Sequence, residues 1–127
     1  MPGFARMANG EYILVFEVCG TDACNIHFKI SNDGTTWAKD DLGMGIENQQ
    51  AGPFVTVLST GRILVMSANT NLISFSDDNG KTWYLQDPPP WDTLSTGTWP
   101  AIYQTGKNEI SVISNFDGTL QMKFGHF

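Results

Sequence analysis

The sequence lacks the features of several protein classes. No apolar run approaches the roughly 18 residues of a transmembrane helix, so we expect no membrane span. Lys and Arg number only 7 against 13 Asp and Glu, and they are not clustered. With a net charge of −6, we expect the chain to bind neither a nucleic-acid backbone nor an anionic membrane. The opening residues also lack the charged-then-apolar layout of a signal peptide.

Cysteine and histidine are too scarce for a typical zinc site. The 2 Cys are spaced C-x4-C, with no second Cys pair and only 2 His in the chain to complete the four ligands that zinc takes, so we expect no metal and no cofactor. Cys19 and Cys24 flank the turn-like "GTDA", and a hairpin there could bring their Cα atoms within disulfide reach. The alternative is two free thiols at strand ends. A disulfide would favour a secreted protein, with the signal segment outside this chain.

The composition is that of a folded, single-domain protein. Hydrophobic residues make up 41% and charged residues 16%, which argues against disorder, and 127 residues suffice for a sizeable core. No segment has the period and length of a helix. Ile26, Phe28 and Ile30 instead alternate with His27 and Lys29, the period of a strand. We therefore expect an all-β fold.

A repeat of about 47 residues organises the chain. Its units are marked by Pro2, Pro53 and Pro100, which are 51 and 47 residues apart. Each proline precedes a short strand, a turn ("ANGE", "STGR", "QTGKNE"), an apolar strand ("YILVFEV", "ILVMSA", "EISVISNF") and a third strand. A fourth is expected in "TWAKDDL" and "TWYLQD". Four strands at this spacing are typical of a β-propeller blade. The predicted fold is thus a partial β-propeller of four-stranded antiparallel blades, with units at about 1–45, 46–92 and 93–127, the last lacking its outer strand.

Two similar turns occur at blade spacing, "SNDGTTW" and "SDDNGKTW". The second matches the Asp-box, S-x-D-x-G-x-T-W, of sialidases and related glycoside hydrolases; the first is one residue shorter. Ser and Asp can bond to the backbone of a tight turn, Gly allows a positive φ, and Trp can pack between blades. We therefore expect a structural and not a catalytic role for Ser31, Asp33, Gly34, Thr36 and Trp37, and for Ser76, Asp78, Gly80, Thr82 and Trp83.

The Asp-box turns are expected on one face, which leaves the other face for function. That face should carry the loops between the second and third strands and the long loops between units, "DDLGMGIENQQAG" and "DPPPWDTLSTGT". Aromatic rings beside amides and carboxylates suit an oligo- or polysaccharide, because C–H faces stack on indole and hydroxyls bond to polar groups. For Trp91, a loop packed on its own prolines is nearly as good an interpretation. The predicted substrate-binding residues are Glu47, Asn48, Trp91, Asp92, Trp99 and Asn115.

Glu17 is the only acid within "YILVFEVCG" and lies where this strand reaches the functional face. A carboxylate there suits acid/base or nucleophilic work in glycoside cleavage. The alternative is a strand-end Glu paired with a neighbouring donor. The corresponding positions in the other units are Ala68 and Asn115, so this acid is not a property of the repeat.

The stretch "NGEYILVFEVCG…C…FKISNDGTTW" resembles glycoside hydrolase family 93, the exo-α-1,5-L-arabinanases. The resemblance implies a six-bladed propeller, of which about three blades are present, and retaining release of arabinobiose from arabinan by two glutamates. It implies that Glu17 is one of these, the nucleophile of the two, and more weakly that Tyr103 matches a tyrosine near the site.

The sequence also departs from this pattern. The second glutamate has no motif to identify it, with Glu47 a candidate by position alone. A non-catalytic Asp-box segment that binds glycan or protein is therefore the alternative function, and a sialidase-like activity, which needs an arginine triad, is a further one disfavoured by having only Arg6 and Arg62. A half-ring would expose its outer flanks, so we expect a homodimer or a partner half that completes the propeller.

Overall fold

The computed structural model describes residues 2–20, 24–68, 72–86, 97–116 and 118–126. Within these ranges the chain forms strands and turns and no helix, which confirms the all-β prediction. No described segment is a helix with the length and hydropathy to cross a membrane. Two predicted substrate-binding residues, Trp91 and Asp92, lie outside the described residues.

The strands form three antiparallel sheets, each of consecutive strands. The first contains β1 (Gly3–Arg6), β2 (Tyr12–Cys19), β3 (Cys24–Ser31) and β4 (Met44–Gln50), in that order. The second contains β5 (Phe54–Val57), β6 (Ile63–Met66), β7 (Ile73–Ser76) and β8 (Tyr84–Gln86). The third has β9 (Gly97–Gly106), β10 (Glu109–Phe116) and β11 (Thr119–His126). The first strands of the sheets, β1, β5 and β9, lie side by side, as the inner strands of a partial propeller do.

Each sheet has two ends, which we name by their turns. The lower end carries the tight turns that join the first two strands of each sheet, at residues 7–11, 58–62 and 106–109. The upper end carries the connection between Cys19 and Cys24 and the connection from Gln50 to Phe54.

The fourth strand of the first sheet is not where the sequence predicted it. The predicted strand "TWAKDDL" is a connection, in which Lys29 Nζ donates to Ala38 O (2.5 Å) and Asp41 Oδ1 accepts from Gly43 N (2.9 Å). The strand is β4, and the predicted unit boundary at residue 45 falls inside it. Glu47 and Asn48 therefore lie on a strand and not in a loop. The polar sequence "MGIENQQ" concealed this, because only Ile46 and Gln49 of β4 are buried.

The middle sheet supplies both hydrophobic cores. All four side chains of β6 are buried. Ile63 and Val65 pack toward the first sheet, while Leu64 and Met66 pack toward the third. Successive side chains of a strand point to opposite faces, so this continuous apolar run is what a sheet covered on both sides requires.

The outer sheets are covered on one face only. Ile13 and Val15 of β2 and Val112 of β10 face the middle sheet. The open flank of the third sheet carries the alternate residues of β11: Leu120 (76% exposed), Met122 and Phe124 (66% exposed). The open flank of the first sheet carries Phe4, which stacks on Tyr12.

The two Asp-containing turns at the lower end make the same four hydrogen bonds. In the second turn, Ser76 Oγ donates to Asp78 Oδ1 (2.8 Å) and accepts from Gly80 N (2.9 Å). The Thr82 N–H and hydroxyl donate to Asp78 Oδ1 (2.9 Å) and Oδ2 (2.6 Å). In the first turn, Ser31, Asp33, Gly34 and Thr36 repeat this pattern at 2.7–3.0 Å.

The extra residue of the second turn is absorbed without changing these bonds. Asn79 has a φ of 59° and Gly80 a φ of 84°, so two successive residues are left-handed where the first turn has only Gly34, at 74°. Asn is one of the few residues with a side chain that tolerates this conformation. The spacing difference between the motifs is therefore a local change of backbone.

The tryptophans of the two turns make different contacts. Trp83, from the second sheet, packs on Phe28 of the first at a centroid distance of 5.3 Å. Trp37 instead meets Phe4 edge-on on the open flank of its own sheet. Trp37 and Trp83 occupy equivalent positions in their turns. Trp83 contacts the neighbouring sheet, whereas Trp37 lies on the open flank, where a neighbouring sheet would be in contact with it.

Removal of the Asp78 carboxylate should destabilise the fold in a pH-dependent way. Hydrogen bonds from the Thr82 hydroxyl and N–H lower the pKa of Asp78 from 3.8 to about 2. Because the folded-state pKa is depressed, the stabilisation is fully present above pH ~4 and is lost as the pH falls to about 2. We expect the difference in free energy of unfolding between wild type and Asp78→Ala, from urea titrations, to narrow over this interval. Asp40→Ala, at an exposed position, is the control; a pH-independent difference for Asp78→Ala would contradict the prediction.

Candidate functional site

Glu17 lies near the upper end of β2, on the face that carries Ile13 and Val15. Its side chain is half-buried and points toward the connection between the first and second sheets. There Oε1 accepts a hydrogen bond from the Gly52 N–H. Within the described part of the chain this is its one hydrogen bond, so Oε2 has no partner there. The carboxylate is held in one orientation and keeps one oxygen available.

Trp99 reaches the same point from the third sheet. A β-bulge places Trp99 and Pro100 opposite Ser114, between the pairs Ala101–Ile113 and Thr98–Asn115. Trp99 has a φ of 55° and is 63% exposed. Its ring lies against Gly52, because a Cβ added to Gly52 would be 3.1 Å from Trp99 Cζ3. It was predicted in a loop but lies on the innermost strand. We call Glu17, Gly52 and Trp99 the Glu17 cluster.

The Cys19–Cys24 disulfide closes the turn beside Glu17. The two residues are paired across β2 and β3, with Cα atoms 4.0 Å apart. Their sulfurs and the Glu17 carboxylate lie within 4.8 Å of one another. Both sulfurs are used in the disulfide, so this group does not offer thiolates to a metal ion. Cys24 O accepts from Ala51 N (2.9 Å), which ties the turn to the residue before Gly52.

Gln49, which precedes this connection, is the most deeply buried polar residue of β4, at 1% exposure. Its amide nitrogen donates to Leu72 O (3.1 Å) and to Ser74 Oγ (2.9 Å). Its amide oxygen accepts from Ser67 Oγ (2.7 Å), which in turn accepts from Gln50 N (2.8 Å). Gln49 therefore joins the first sheet to the upper end of the second through a hydrogen-bonded buried network.

Glu47 and Asn48 are not part of the Glu17 cluster. They lie exposed on β4, the outermost strand of the first sheet, where Asn48 has a φ of 61°. With Asn25 and His27 they line an open groove of about 380 Å³. Two interstrand spacings of about 4.8 Å separate β4 from β2, which is far for a carboxylate pair that must share one glycosidic bond.

The other predicted residues divide between the two ends. Asn115 lies at the upper end of β10, paired with Thr98 and thus next to Trp99 along the neighbouring strand. Tyr103, half-exposed on β9, pairs with Ser111 toward the lower end, beside Gln104, which bonds to Ser59 of a lower turn. The strand direction therefore separates Tyr103 from Glu17, and the expected association of these two residues is not found.

The lower end contains both arginines. Arg62 forms a paired interaction with Asp77, with Nε to Oδ1 at 2.7 Å and Nη2 to Oδ2 at 2.8 Å, and this lowers the pKa of Asp77. Arg6 lies over the Tyr12 ring. A groove of about 580 Å³ lies between the lower turns and is lined by Arg6, Ser59 and Gln104 among others. This groove is larger than that beside Glu47, but it lies at the opposite end from the Glu17 cluster, and neither arginine can serve a site there.

Sequence reasoning identified Glu17 and Trp99 but missed Gly52 and the buried position of Gln49. Gly52 matters through its N–H and its φ of 41°, neither of which a sequence displays. The signal that could have found it is the "QQAG" stretch: a glycine directly after a polar run, before Pro53 and a new strand. Gln49 has no comparable signal, because its partners lie 18 to 25 residues away.

The comparisons with known proteins show the fold. No protein-family model matches the sequence, and no curated protein matches it. Among solved structures, the chain is similar to the GH93 α-L-arabinofuranosidase of Fusarium graminearum in complex with arabinobiose, with a TM-score of 0.76 and 16% identity over 99% of this chain and 42% of that chain. It is also similar to a Penicillium chrysogenum α-L-arabinanase complexed with arabinobiose, with a TM-score of 0.69 and 15% identity over 100% and 40% of the respective chains.

A third similar structure is the Fusarium graminearum α-L-arabinofuranosidase in complex with an iminosugar inhibitor. Its TM-score is 0.69, with 16% identity over 100% of this chain and 41% of that chain. The chain thus spans about two fifths of the length of the structures it matches. At this identity the likeness establishes a partial β-propeller and leaves activity to be argued from the residues.

A side chain at position 52 should displace Trp99. In Gly52→Ala, the new Cβ would lie 3.1 Å from both Trp99 Cζ3 and Ala68 Cβ, on a left-handed backbone. We expect the free energy of unfolding to fall by about 1–2 kcal/mol. We also expect the fluorescence emission of Trp99 to shift; its spectrum is obtained by subtracting the spectrum of the same protein carrying Trp99→Phe. Gly118→Ala is the matched control, since Gly118 has a φ of 80° but no neighbour within 4 Å of an added Cβ. Equal emission changes in both variants would show that Gly52 does not support the indole.

Proposed function

We propose that the chain is part of a glycoside hydrolase acting on arabinan, with Glu17 as a catalytic carboxylate. The observation that carries this proposal is the Glu17 cluster: a half-buried carboxylate oriented by the Gly52 N–H, next to an exposed indole on the innermost strand. Two of the similar structures hold arabinobiose and one an iminosugar inhibitor, which supports an oligo- or polysaccharide as ligand of the upper end.

The proposed reaction is retaining, exo-acting cleavage. The free Oε2 of Glu17 attacks the anomeric carbon, while a second carboxylic acid protonates the departing glycosidic oxygen. The resulting ester of Glu17 is then hydrolysed by water, with the second carboxylate accepting the water proton. The Gly52 N–H contributes by fixing the attacking group before the sugar arrives, which lowers the cost of orientation.

The second carboxylate must come from outside the described residues. Retaining enzymes hold the two carboxyl groups about 5–5.5 Å apart, and Glu47 lies two strands away from Glu17. The remaining acids of the described residues lie in or beside the lower turns: Glu11, Asp33, Asp40, Asp41, Asp77, Asp78 and Glu109. The same observation favours the alternative function, a non-catalytic segment that binds glycan or protein.

The proposed sugar platform is Trp99. Its ring is exposed and fixed from below by Gly52, so one indole face is presented to solvent. Sugar C–H groups stack on such a face. Asn115, which pairs with Thr98 on the adjacent strand, is proposed as a polar residue at the same end of the sheet. Glu47 and Asn48 are proposed as a more distant polar contact, on their own groove.

The proposed assembly covers the two open flanks. The apolar residues of β11, with Leu120 at 76% exposure, form a surface that a stable monomer rarely leaves in water. A second copy, turned about the propeller axis, would bring this flank against that of Phe4 and Trp37 and close a ring. A partner half would do the same. We further propose that the two turns are Asp-boxes and, from the disulfide, that the protein is extracellular.

Loss of the Glu17 carboxylate should abolish turnover in the assembled protein. Glu17→Gln keeps the shape of the side chain and can still accept the Gly52 N–H, but its amide cannot act as nucleophile. We expect hydrolysis of a linear arabinan oligomer to fall by at least about 10²-fold, with an unchanged melting temperature. Glu109→Gln, at the lower end, should keep wild-type activity. Wild-type hydrolysis by Glu17→Gln would exclude Glu17 from catalysis, and binding of the oligomer without hydrolysis by the wild type would support the non-catalytic alternative.

Sedimentation should show a dimer whose interface contains β11. Leu120→Asp introduces a charge on the open flank and should shift the protein toward monomer at tens of micromolar. Tyr84→Asp provides the control, because Tyr84 is also exposed (56%) but lies on β8 of the middle sheet, on neither open flank. A stable wild-type monomer would contradict the proposed assembly by a second copy.

A further inference from the structure

Gln49 lies three residues before Gly52, whose N–H orients Glu17, and its side chain is hydrogen-bonded to the second sheet. Besides the bonds of Gln49 to Leu72 and Ser74, the segment 49–52 is attached to the second sheet through Ser67 and Ala68. Gln49 and Gln50 bond to Ser67 (2.7 and 2.8 Å), and Ala51 O accepts from Ala68 N (2.8 Å). The same segment then donates from Gly52 N to Glu17. The position of the Gly52 N–H is thus set by both sheets, by the second through Ser67 and Ala68 and by the first through the bond from Ala51 N to Cys24 O.

The backbone of this segment is not at its intrinsic minimum. Asn48, Ala51 and Gly52 all have positive φ values, of 61°, 57° and 41°. For residues with a Cβ this conformation costs free energy and persists only where surrounding contacts hold it. The contacts on either side are those of Gln49 to Ser67, Ser74 and Leu72, and that of Ala51 N to Cys24 O (2.9 Å).

We propose that Gln49 is a positioning residue: its buried amide holds the segment 49–52 so that the Gly52 N–H fixes the carboxylate of Glu17. Gln49 does not reach the site itself, since its side chain is buried between the two sheets at 1% exposure. It acts through the backbone of the three following residues. The catalytic consequence rests on the proposed function, whereas the geometric consequence does not.

Gln104 provides a matched comparison within the same chain. Its amide also joins adjacent sheets, accepting from Ser59 N (2.8 Å) and donating to Ser59 Oγ (2.8 Å). It does so at the lower end, and its bonds lead to no segment that contacts Glu17. Removal of either amide should weaken contact between sheets, but only removal of Gln49 should release Glu17.

The test is the amide proton resonance of Gly52, observed by NMR in the full chain. The chemical shift of this proton in Glu17→Gln is the reference value for a Gly52 N–H that has no charged acceptor. We expect Gln49→Met, which keeps the length of the side chain, to shift the Gly52 resonance toward that value. Ser67→Ala, a small change that removes the bonds to Gln49 and Gln50, should cause the same shift and serves if Gln49→Met does not fold. Gln104→Met should leave the resonance unchanged. An unshifted Gly52 in folded Gln49→Met or Ser67→Ala would overturn the proposal.

Kinetics separate this inference from the proposed function. In the assembled protein we expect Gln49→Met to lower kcat with little change in KM, because the platform at Trp99 remains, and Gln104→Met to leave both unchanged. Absence of hydrolysis by the wild type would contradict the proposed function and leave the NMR result to decide the role of Gln49. A rise in KM with unchanged kcat would instead show that Gln49 supports binding and would overturn its role in orienting Glu17.

Discussion

The structure depends on one constraint: a sheet that is apolar on both faces must be covered on both faces. β6 meets it with alternate side chains, Ile63 and Val65 toward one neighbour and Leu64 and Met66 toward the other. Burial of such side chains contributes about 1.5–3 kcal/mol each. The order of the three sheets and the adjacency of β1, β5 and β9 follow from this packing.

The constraint also explains why polar ties appear where they do. Apolar packing fixes how far apart two sheets lie but does little to fix their relative sliding along the strands. Directional hydrogen bonds at the two ends can prevent this sliding. Both ends use a glutamine amide, Gln49 at the upper end and Gln104 at the lower end. At the lower end, the Asp-containing turns add bonds within the first and second sheets, and Trp83 of the second turn packs on Phe28 of the first sheet. At the upper end, the equivalent fixation extends to Glu17.

Much of the fold could be predicted because local sequence patterns determine it. Period-two alternation, turn residues and a repeat of about 47 residues identify strands without knowledge of their neighbours. β4 could not be predicted in this way, since it buries only Ile46 and Gln49 and pairs with β3 across a register shift between Asn25 and His27. Its strand character is imposed by tertiary contacts, and the same is true of the bulge that exposes Trp99. Of the Glu17 cluster, the two large side chains could be foreseen from type and position, whereas Gly52 contributes only backbone.

The distribution of strained backbone gives a reason to locate function at the upper end. Three described residues with side chains and left-handed φ values, Asn48, Ala51 and Trp99, lie there, while the fourth, Asn79, belongs to an Asp-containing turn that needs it. Such conformations cost about 1–3 kcal/mol each, and the upper turns could have been built with glycine, as the lower turns are at Gly10 and Gly61. What the upper positions achieve together is specific: Ala51 and Gly52 turn an N–H toward Glu17, and Trp99 presents an indole over that same turn. A purely structural connection between two sheets requires neither a half-buried carboxylate nor an exposed ring, and it is this combination that supports the proposal of a site at the upper end.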